Sequence, residues 1–454
     1  MIMKVPQKPP QIDDLLTELT KDEPGKIVEL VGSDLDRQPE GKYVHWDELG
    51  HLPPPKGFTQ RQWWLAIKIS RRTAHHRLPF ADSKQMGFGY SIPDNLFKLL
   101  HEIDRDASGR IEVAELVTSS QTRDRYLVNS LIEESITSSQ LEGAATTHKV
   151  AKEMLRQGRK PRNHSEQMIY NNYAAMQFIR SHKHLSLTPE LILQLQSVMT
   201  DLTLEDPTAA GRWRHPEENV RVVDERNNDI LYVPPPAEEI AHRIVELCRF
   251  ANGSNENPFI HPLIKAIVIH FMMGWIHPFV DGNGRTARAL FYWSMAKSGY
   301  WLIEFTSISR VIKKAPARYA RAYLYAETDD NDLTYFIEHQ LYVICEAIKA
   351  LHSYLADKTK EIADTRHLIA SSPKLKGKLN HRQLAAMDYF LKHSHVIYRI
   401  QEHRNSNQVT YETARRDLLD LVDLGLLEKH REGKAFVFQM PEKLREKLAG
   451  KSTA

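Results

Sequence analysis

The chain has 454 residues, 41% of them hydrophobic and 26% charged, with a net charge of +3. That length suits two or three domains, and the composition lies well outside the disordered range. The charge is too small to argue for a nucleic-acid partner by itself. No run of about 18 uninterrupted apolar residues occurs, so no membrane span is expected. The N-terminus lacks an apolar signal core, which makes the cytoplasm the expected location. Cys248 and Cys345 are the only cysteines, too few for a disulfide framework or a zinc site.

Residues 1–25 are polar and proline-rich and read as poorly ordered. The stretch 26–120 mixes Trp, Gly and turns such as Pro53-Pro54-Pro55 with short apolar runs, and reads as irregular with a few helices. Within it, Asp104–Glu115 fits a calcium-binding EF-hand loop, with oxygen ligands at the expected spacings and Gly109 at the sharp turn. No paired second hand accompanies it, which argues against calcium.

From Arg123 to about Gln157, Leu127, Leu131, Ile132, Ile136 and Leu141 recur about once per turn, as one face of a helix would. Further helices are expected over 163–181, from Thr188-Pro189-Glu190 to about Leu202, and over 237–250, 262–276, 284–299, from 315, and over 334–355. The exception is 211–236. Asn219–Val223 and Ile230–Val233 are β-prone and flank a turn-rich stretch, a hairpin signature closed by Pro234-Pro235-Pro236.

A charged stretch, 357–380, reads as a linker. The remainder, 381–454, runs helix, helix, helix and then two strands around a basic turn, the order of a winged helix-turn-helix. The predicted fold class is therefore mainly α, with one β-hairpin in the core and a C-terminal winged helix-turn-helix.

The chemistry concentrates in His277-Pro-Phe-Val-Asp-Gly-Asn-Gly-Arg-Thr-Ala-Arg288. Pro278 stops the preceding helix, because it lacks an N–H and restricts the residue before it. Gly282 and Gly284 let the backbone approach a ligand closely and take positive φ. The N–H groups of the helix start that follows form an anion site suited to a pyrophosphate. Arg285 and Arg288 lie three apart on that helix, with forked donors for phosphate oxygens. Asp281 is a hard oxygen ligand placed for Mg²⁺, and His277 has the right pKa range for a general base.

The string resembles the signature of the Fic family, His-Pro-Phe-x-Asp-Gly-Asn-Gly-Arg-x-x-Arg, at every fixed position, and the resemblance extends over about residues 120–350. Gly211-Arg-Trp-Arg214 and Val220, Arg221 and Val222 through Tyr232-Val-Pro-Pro235 look like the family's flap, a hairpin that clamps the target by strand pairing. The resemblance implies transfer of AMP from ATP to a Ser, Thr or Tyr hydroxyl of a protein, this chain itself included. In that scheme His277 takes the hydroxyl proton, Asp281 holds Mg²⁺ and the backbone of Gly282–Gly284 stabilises developing charge. Asn283 orients the α-phosphate, Arg285 holds the β-phosphate, Arg288 meets the γ-phosphate and Tyr319 lies near the adenine. Glu327 stands where some relatives carry Asn.

Ser138-Ser-Gln-Leu-Glu142-Gly143 is similar to the family's inhibitory motif, in which a glutamate pairs with the γ-phosphate arginine. Ser138, Glu142 and Gly143 would then form an intramolecular brake, on a helix expected over about 125–157. The expected organisation is an N-terminal region (1–120), a catalytic core (121–356), the linker and the C-terminal module, in a homodimer. The competing reading is a DNA-binding regulator whose core senses nucleotide. Removal of AMP, or transfer of another nucleotide at the same site, is the other alternative.

Overall fold

The computed structural model describes residues 4–23, 25–32, 38–107, 119, 122–224, 226–253, 258–370, 377–393, 397–433, 435–441 and 444. The chain divides into two compact units that interleave in sequence. The first comprises Met1–Arg105, Phe178–Tyr300 and Val311–Glu346, and the second Asp106–Gln177, Trp301–Arg310 and Ala347–Ala454.

In the first unit, two apolar helices, Pro262–Ile276 and Asn283–Lys297, lie side by side. Nearly every residue of Pro262–Ile276 is buried, from Leu263 to Ile276. A helix apolar on all sides can be stable only inside the protein. The helices Pro189–Thr200 and Ile240–Asn252 pack against this pair. Thr188 caps the former by accepting the Leu191 N–H, with Pro189 in its first turn.

The N-terminal part is more ordered than its composition predicts. Ile12–Asp22 is a helix, and its Ile12, Leu15 and Leu19 are buried with Trp63 and Trp64 of the helix Gln60–Thr73. Three apolar residues on one face sufficed once a tryptophan-rich partner was available, which flanking prolines and charges concealed. A two-stranded antiparallel sheet, His76–Ala81 with Gly87–Tyr90, and the helix Asp94–Ala107 follow. Buried polar contacts tie this region to residues 329–335. Lys68 pairs with Asp329 at 2.6 Å, Tyr43 donates to Asp332 at 2.6 Å and Arg71 donates to the Tyr335 hydroxyl at 2.8 Å.

In the second unit, the helix expected over 125–157 is two helices, Arg123–Leu141 and His148–Gln157. Gly143, at φ +92°, turns the chain out of the first. Thr147 caps the second by accepting the Val150 N–H. Ile132, Ile136, Ala151, Met154, Met168 and Ile169 share one core cluster.

The predicted linker is also different. Helix Thr334–Ala370 runs through most of the charged stretch, and residues 371–376 lie outside the described ones. Charge alone does not stop a helix, and 356–370 contains neither Gly nor Pro. The C-terminal module then has helices His381–Lys392, Ile400–Asn407 and Tyr411–Asp423. Its three-stranded antiparallel sheet places Ala435–Gln439 between Tyr398–Arg399 and Glu428–Glu432. The basic residues Lys429–Arg431 therefore lie in a strand and not in the turn. Among the described residues, no helix is long and apolar enough to cross a membrane.

Candidate active site

His277 is the C-terminal cap of Pro262–Ile276, with a left-handed backbone at φ +49°, ψ +56°. The residue before a proline is normally pushed to an extended conformation, so this one is held there by its surroundings. Its N–H donates to Met273 O at 3.2 Å. Its Nδ1 lies 3.1 Å from Gly274 O. A carbonyl only accepts, so Nδ1 carries the proton and Nε2 the lone pair. Residue 274 is also pressed against a neighbouring side chain, which requires glycine there. A Cβ there would come within 2.4 Å of the Tyr323 hydroxyl oxygen.

The polar turn follows. Gly282 has φ +86°, and a Cβ on it would meet Thr200 at 3.1 Å. Gly284 does not share the positive φ expected of it. It is already the second residue of the helix Asn283–Lys297, where helical φ is required. The first bond of that helix is Thr286 N–H to Gly282 O, at 2.8 Å. The N–H groups of Asn283, Gly284 and Arg285 precede that bond, as at any helix start. The Asn283 side chain accepts from Phe279 N–H at 2.9 Å and donates to Phe279 O at 2.8 Å. It thereby staples the loop and keeps one amide hydrogen for a ligand.

Arg285 is fully buried. It donates to Asp281 at 2.9 Å and to Met199 O at 3.2 Å, and its Nε is buried without a partner. Asp281 is half-exposed and also accepts the Gly282 N–H. Arg288 is buried, and its charge disfavours protonation of His270; at Tyr323 burial holds the hydroxyl un-ionised and outweighs the opposite pull of Arg288. Burial is the larger cause at His270, whose pKa is held well below the ordinary range, so it is neutral. Tyr319 is partly buried, with its hydroxyl 2.8 Å from His270 Nε2 and its ring against Tyr323, Phe336 and His339. Burial also pushes the Glu327 carboxyl well above the usual range.

This constellation fits a magnesium–triphosphate chemically. It offers unbonded helix-start N–H groups, an orphaned guanidinium nitrogen on Arg285, the second cation Arg288 and an accessible carboxylate. A single protein carboxylate is a common holding for Mg²⁺ shared with phosphates.

The hairpin is Val222–Asp224 paired with Asp229–Tyr232, in the register Val222 with Tyr232 and Asp224 with Asp229. Of the predicted flap residues, Val222 lies in the strand, whereas Val220 and Arg221 precede it. Asn219, left-handed at φ +44°, ends a short 3-10 turn just before them. Val223 and Ile230 are exposed, and Tyr232 donates to Trp275 O at 2.8 Å. Trp213 and Arg214, assigned to the flap from the sequence, lie against the loop instead, together with Gln196, which nothing in the local sequence marks.

Ser138, Glu142 and Gly143 belong to the second unit. Ser138 is buried, and Glu142 is the partly exposed C-cap of Arg123–Leu141. In the EF-hand-like stretch, Asp104 accepts from Tyr300 at 2.5 Å and lies 2.9 Å from His261. Residues 108–115 of that stretch lie outside the described residues.

Residues 186–295, which include the whole loop, match the family model of the Fic/DOC family. That segment of the chain is a Fic/DOC-type region. It is similar to protein adenylyltransferase Fic of Drosophila grimshawi, 26% identical over 198 residues that cover 43% of this chain and 38% of that protein. It is also similar to protein adenylyltransferase fic-1 of Caenorhabditis elegans, 28% identical over 147 residues, 32% of this chain and 26% of that one. The chain thus spans well under half the length of these curated relatives. Among solved structures, a Fic family protein from Desulfovibrio desulfuricans G20 superposes with a TM-score of 0.48 at 18% identity, over 78% of this chain and 98% of that one. Fic-1 from C. elegans does so with a TM-score of 0.43 at 19% identity, over 58% and 72%.

Proposed function

We propose that this Fic protein transfers AMP from ATP to a Ser, Thr or Tyr hydroxyl of a protein, and that Glu142 restrains the reaction. The observation that carries the reading is His277. Its Nδ1–H is committed to Gly274 O, so Nε2 is the basic nitrogen, in a loop that leads directly into the helix start at Asn283. In the reaction the target oxygen forms a bond to the α-phosphorus while its proton passes to Nε2. The bond between the α-phosphorus and the bridging oxygen breaks, and pyrophosphate leaves. Helix-start N–H groups and Arg285 stabilise the negative charge that develops, and Arg288 binds the far end of the triphosphate. Asp281 would hold Mg²⁺, which neutralises phosphate charge when bound.

The exposed edge at Val223 and Ile230 suits an extended target segment that adds to the hairpin as a strand. The adenylyltransferase names of the relatives support the choice of AMP. The inhibitory role of Glu142 rests on the motif Ser138-x-x-x-Glu142-Gly143. The experiment compares α-labelled and γ-labelled ATP, with Mg²⁺, in the Glu142→Gly protein. Label from the α position on protein supports the reading. Label from the γ position only, or from neither, overturns it.

A second reading concerns the C-terminal module, which we take as a winged helix that docks on DNA. Tyr411, Arg415 and Arg416 are exposed near the start of Tyr411–Asp423, and every residue of Glu428–Glu432 is exposed. A mobility shift that weakens steeply with salt supports it, and no shift at low salt removes it.

A further inference from the structure

The segment Gly211–Arg214 lies along the catalytic loop. Gln196 accepts the Gly211 N–H at 2.6 Å and donates to Asp281 O at 3.3 Å. The Trp213 ring stacks on Phe279 with centroids 5.1 Å apart. Arg214 makes the closest attachments. Its backbone N–H donates to Pro278 O at 2.8 Å, its Nε to His277 O at 2.8 Å and its Nη2 to Pro235 O at 2.5 Å.

Two features make this more than packing. The first is what Arg214 holds. A left-handed backbone at a residue with a Cβ persists only where the surroundings over-determine it, and here a proline follows as well. Two of the bonds that fix His277 and Pro278 come from residue 214. The second is what the fork joins. Pro235 follows the outgoing strand of the hairpin, Asp229–Tyr232, by three residues. One planar guanidinium therefore bonds the carbonyl of the base and a carbonyl at the foot of the flap. Arg214 is only 7% exposed, and burial opposes its charge. A buried cation kept on two backbone carbonyls points to a geometric role.

We propose that Arg214 is a positioning residue that sets His277 and couples it to the foot of the flap, so that a target seated on the hairpin steadies the base. This rests on the AMP-transfer reading for its consequence in catalysis, but not for the geometry it asserts. Once the base is set, Nδ1 stays on Gly274 O and Nε2 faces one direction. Without the fork, the His277 peptide relaxes toward the extended conformation that a following proline favours, and the ring loses its acceptor.

The test uses the full chain carrying Glu142→Gly, with Arg214→Ala and Arg214→Lys added. Selective ¹⁵N-histidine labelling, with His277→Asn to assign the signal, reads the tautomer without any reaction. The parent should show His277 as a single Nδ1–H tautomer, and Arg214→Ala a mixture of two. Auto-modification with α-labelled ATP should fall on the order of 100-fold in kcat for Arg214→Ala, the scale of a small misplacement. KM for ATP should change less than about threefold, because Arg214 holds the base and not the nucleotide. Arg214→Lys, with one donor group in place of a fork, should recover about a tenth of the parent rate and most of the single tautomer. A single tautomer with an unchanged kcat in Arg214→Ala overturns the proposal. So does a fall in kcat with the tautomer unaltered. If Arg214→Ala fails to fold, the same two readouts on Arg214→Lys decide. If the parent transfers no label yet the tautomer responds as described, the activity reading fails and the positioning role stands.

Discussion

The helix that ends at His277 and the helix that ends at Glu142 are seated in opposite ways. Pro262–Ile276 is buried almost entirely through apolar side chains. Arg123–Leu141 buries Glu134, Ser135, Thr137, Ser138 and Ser139 along with Leu127, Leu131, Ile132 and Ile136. Its contacts within the second unit are correspondingly polar. Glu134 accepts from Ser307 at 2.7 Å, from Ser309 N–H at 3.1 Å and from Ser309 Oγ at 2.5 Å. Ser130 donates to Phe305 O at 2.7 Å, and Asn172 donates to Ser135 O and Ser139 Oγ at 3.3 Å. Apolar seating tolerates small shifts and is hard to undo. Polar seating fixes one register and fails when one partner goes. On the proposed function, the first suits a helix that carries a permanent base and the second a helix that can be released.

The contrast can be broken at its strongest point first. In the Glu142→Gly protein, His277→Ala should lower AMP transfer by about 10³-fold, the scale of losing a general base, as read by label from α-labelled ATP. A loss below tenfold would place the chemistry elsewhere. Next, Glu134→Ala should destabilise by about 2–3 kcal/mol, since it strands the buried N–H and hydroxyl of Ser309. Hydrogen exchange should rise within 123–141 and leave 262–276 unchanged. Equal exchange in both helices would erase the distinction.

Third, burial pushes Glu402 of the C-terminal module up to about 7, against the opposing charges of Arg399 and Arg156. A folded-state pKa above the unfolded value means the folded chain keeps a proton that the unfolded chain gives up. Stability should therefore be greatest below about pH 4.5 on this account, decline between pH 4.5 and 7, and level off above. Glu402→Gln should remove that decline and gain up to about 3 kcal/mol at pH 8 relative to pH 4.5. Urea unfolding at the two pH values measures it. Smallest, Gly282→Ala should cost about 1–2 kcal/mol through its positive φ and the contact with Thr200. A melting temperature equal to the parent's would contradict it.

Where sequence reading succeeded, the information was local. The twelve-residue string gave away the helix stop before Pro278 and the helix start after Gly282, because each has a short-range signature. Pro262–Ile276 was legible to the residue for the same reason. The failures needed a partner to be seen. Ile12–Asp22 is a helix only because Trp63 and Trp64 cover its apolar face. The hinge at Gly143 was hidden by apolar periodicity that continues into the next helix. Gln196 and Arg214 bond backbone atoms far along the chain, and backbone partners leave no trace in side-chain patterns. Glu134 looks in the sequence like one more polar residue of a helix, since nothing nearby announces Ser307 and Ser309.

The left-handed backbone at His277 has a practical side for anyone who wants a silent form of this protein. Alanine removes the ring but is also reluctant to hold φ +49°, so it disturbs the loop it is meant to leave intact. Asparagine accepts that conformation readily and brings no base. On the AMP-transfer reading, His277→Asn should therefore give an inert chain with the loop and the hairpin edge undisturbed, and so serve as bait for an unmodified target.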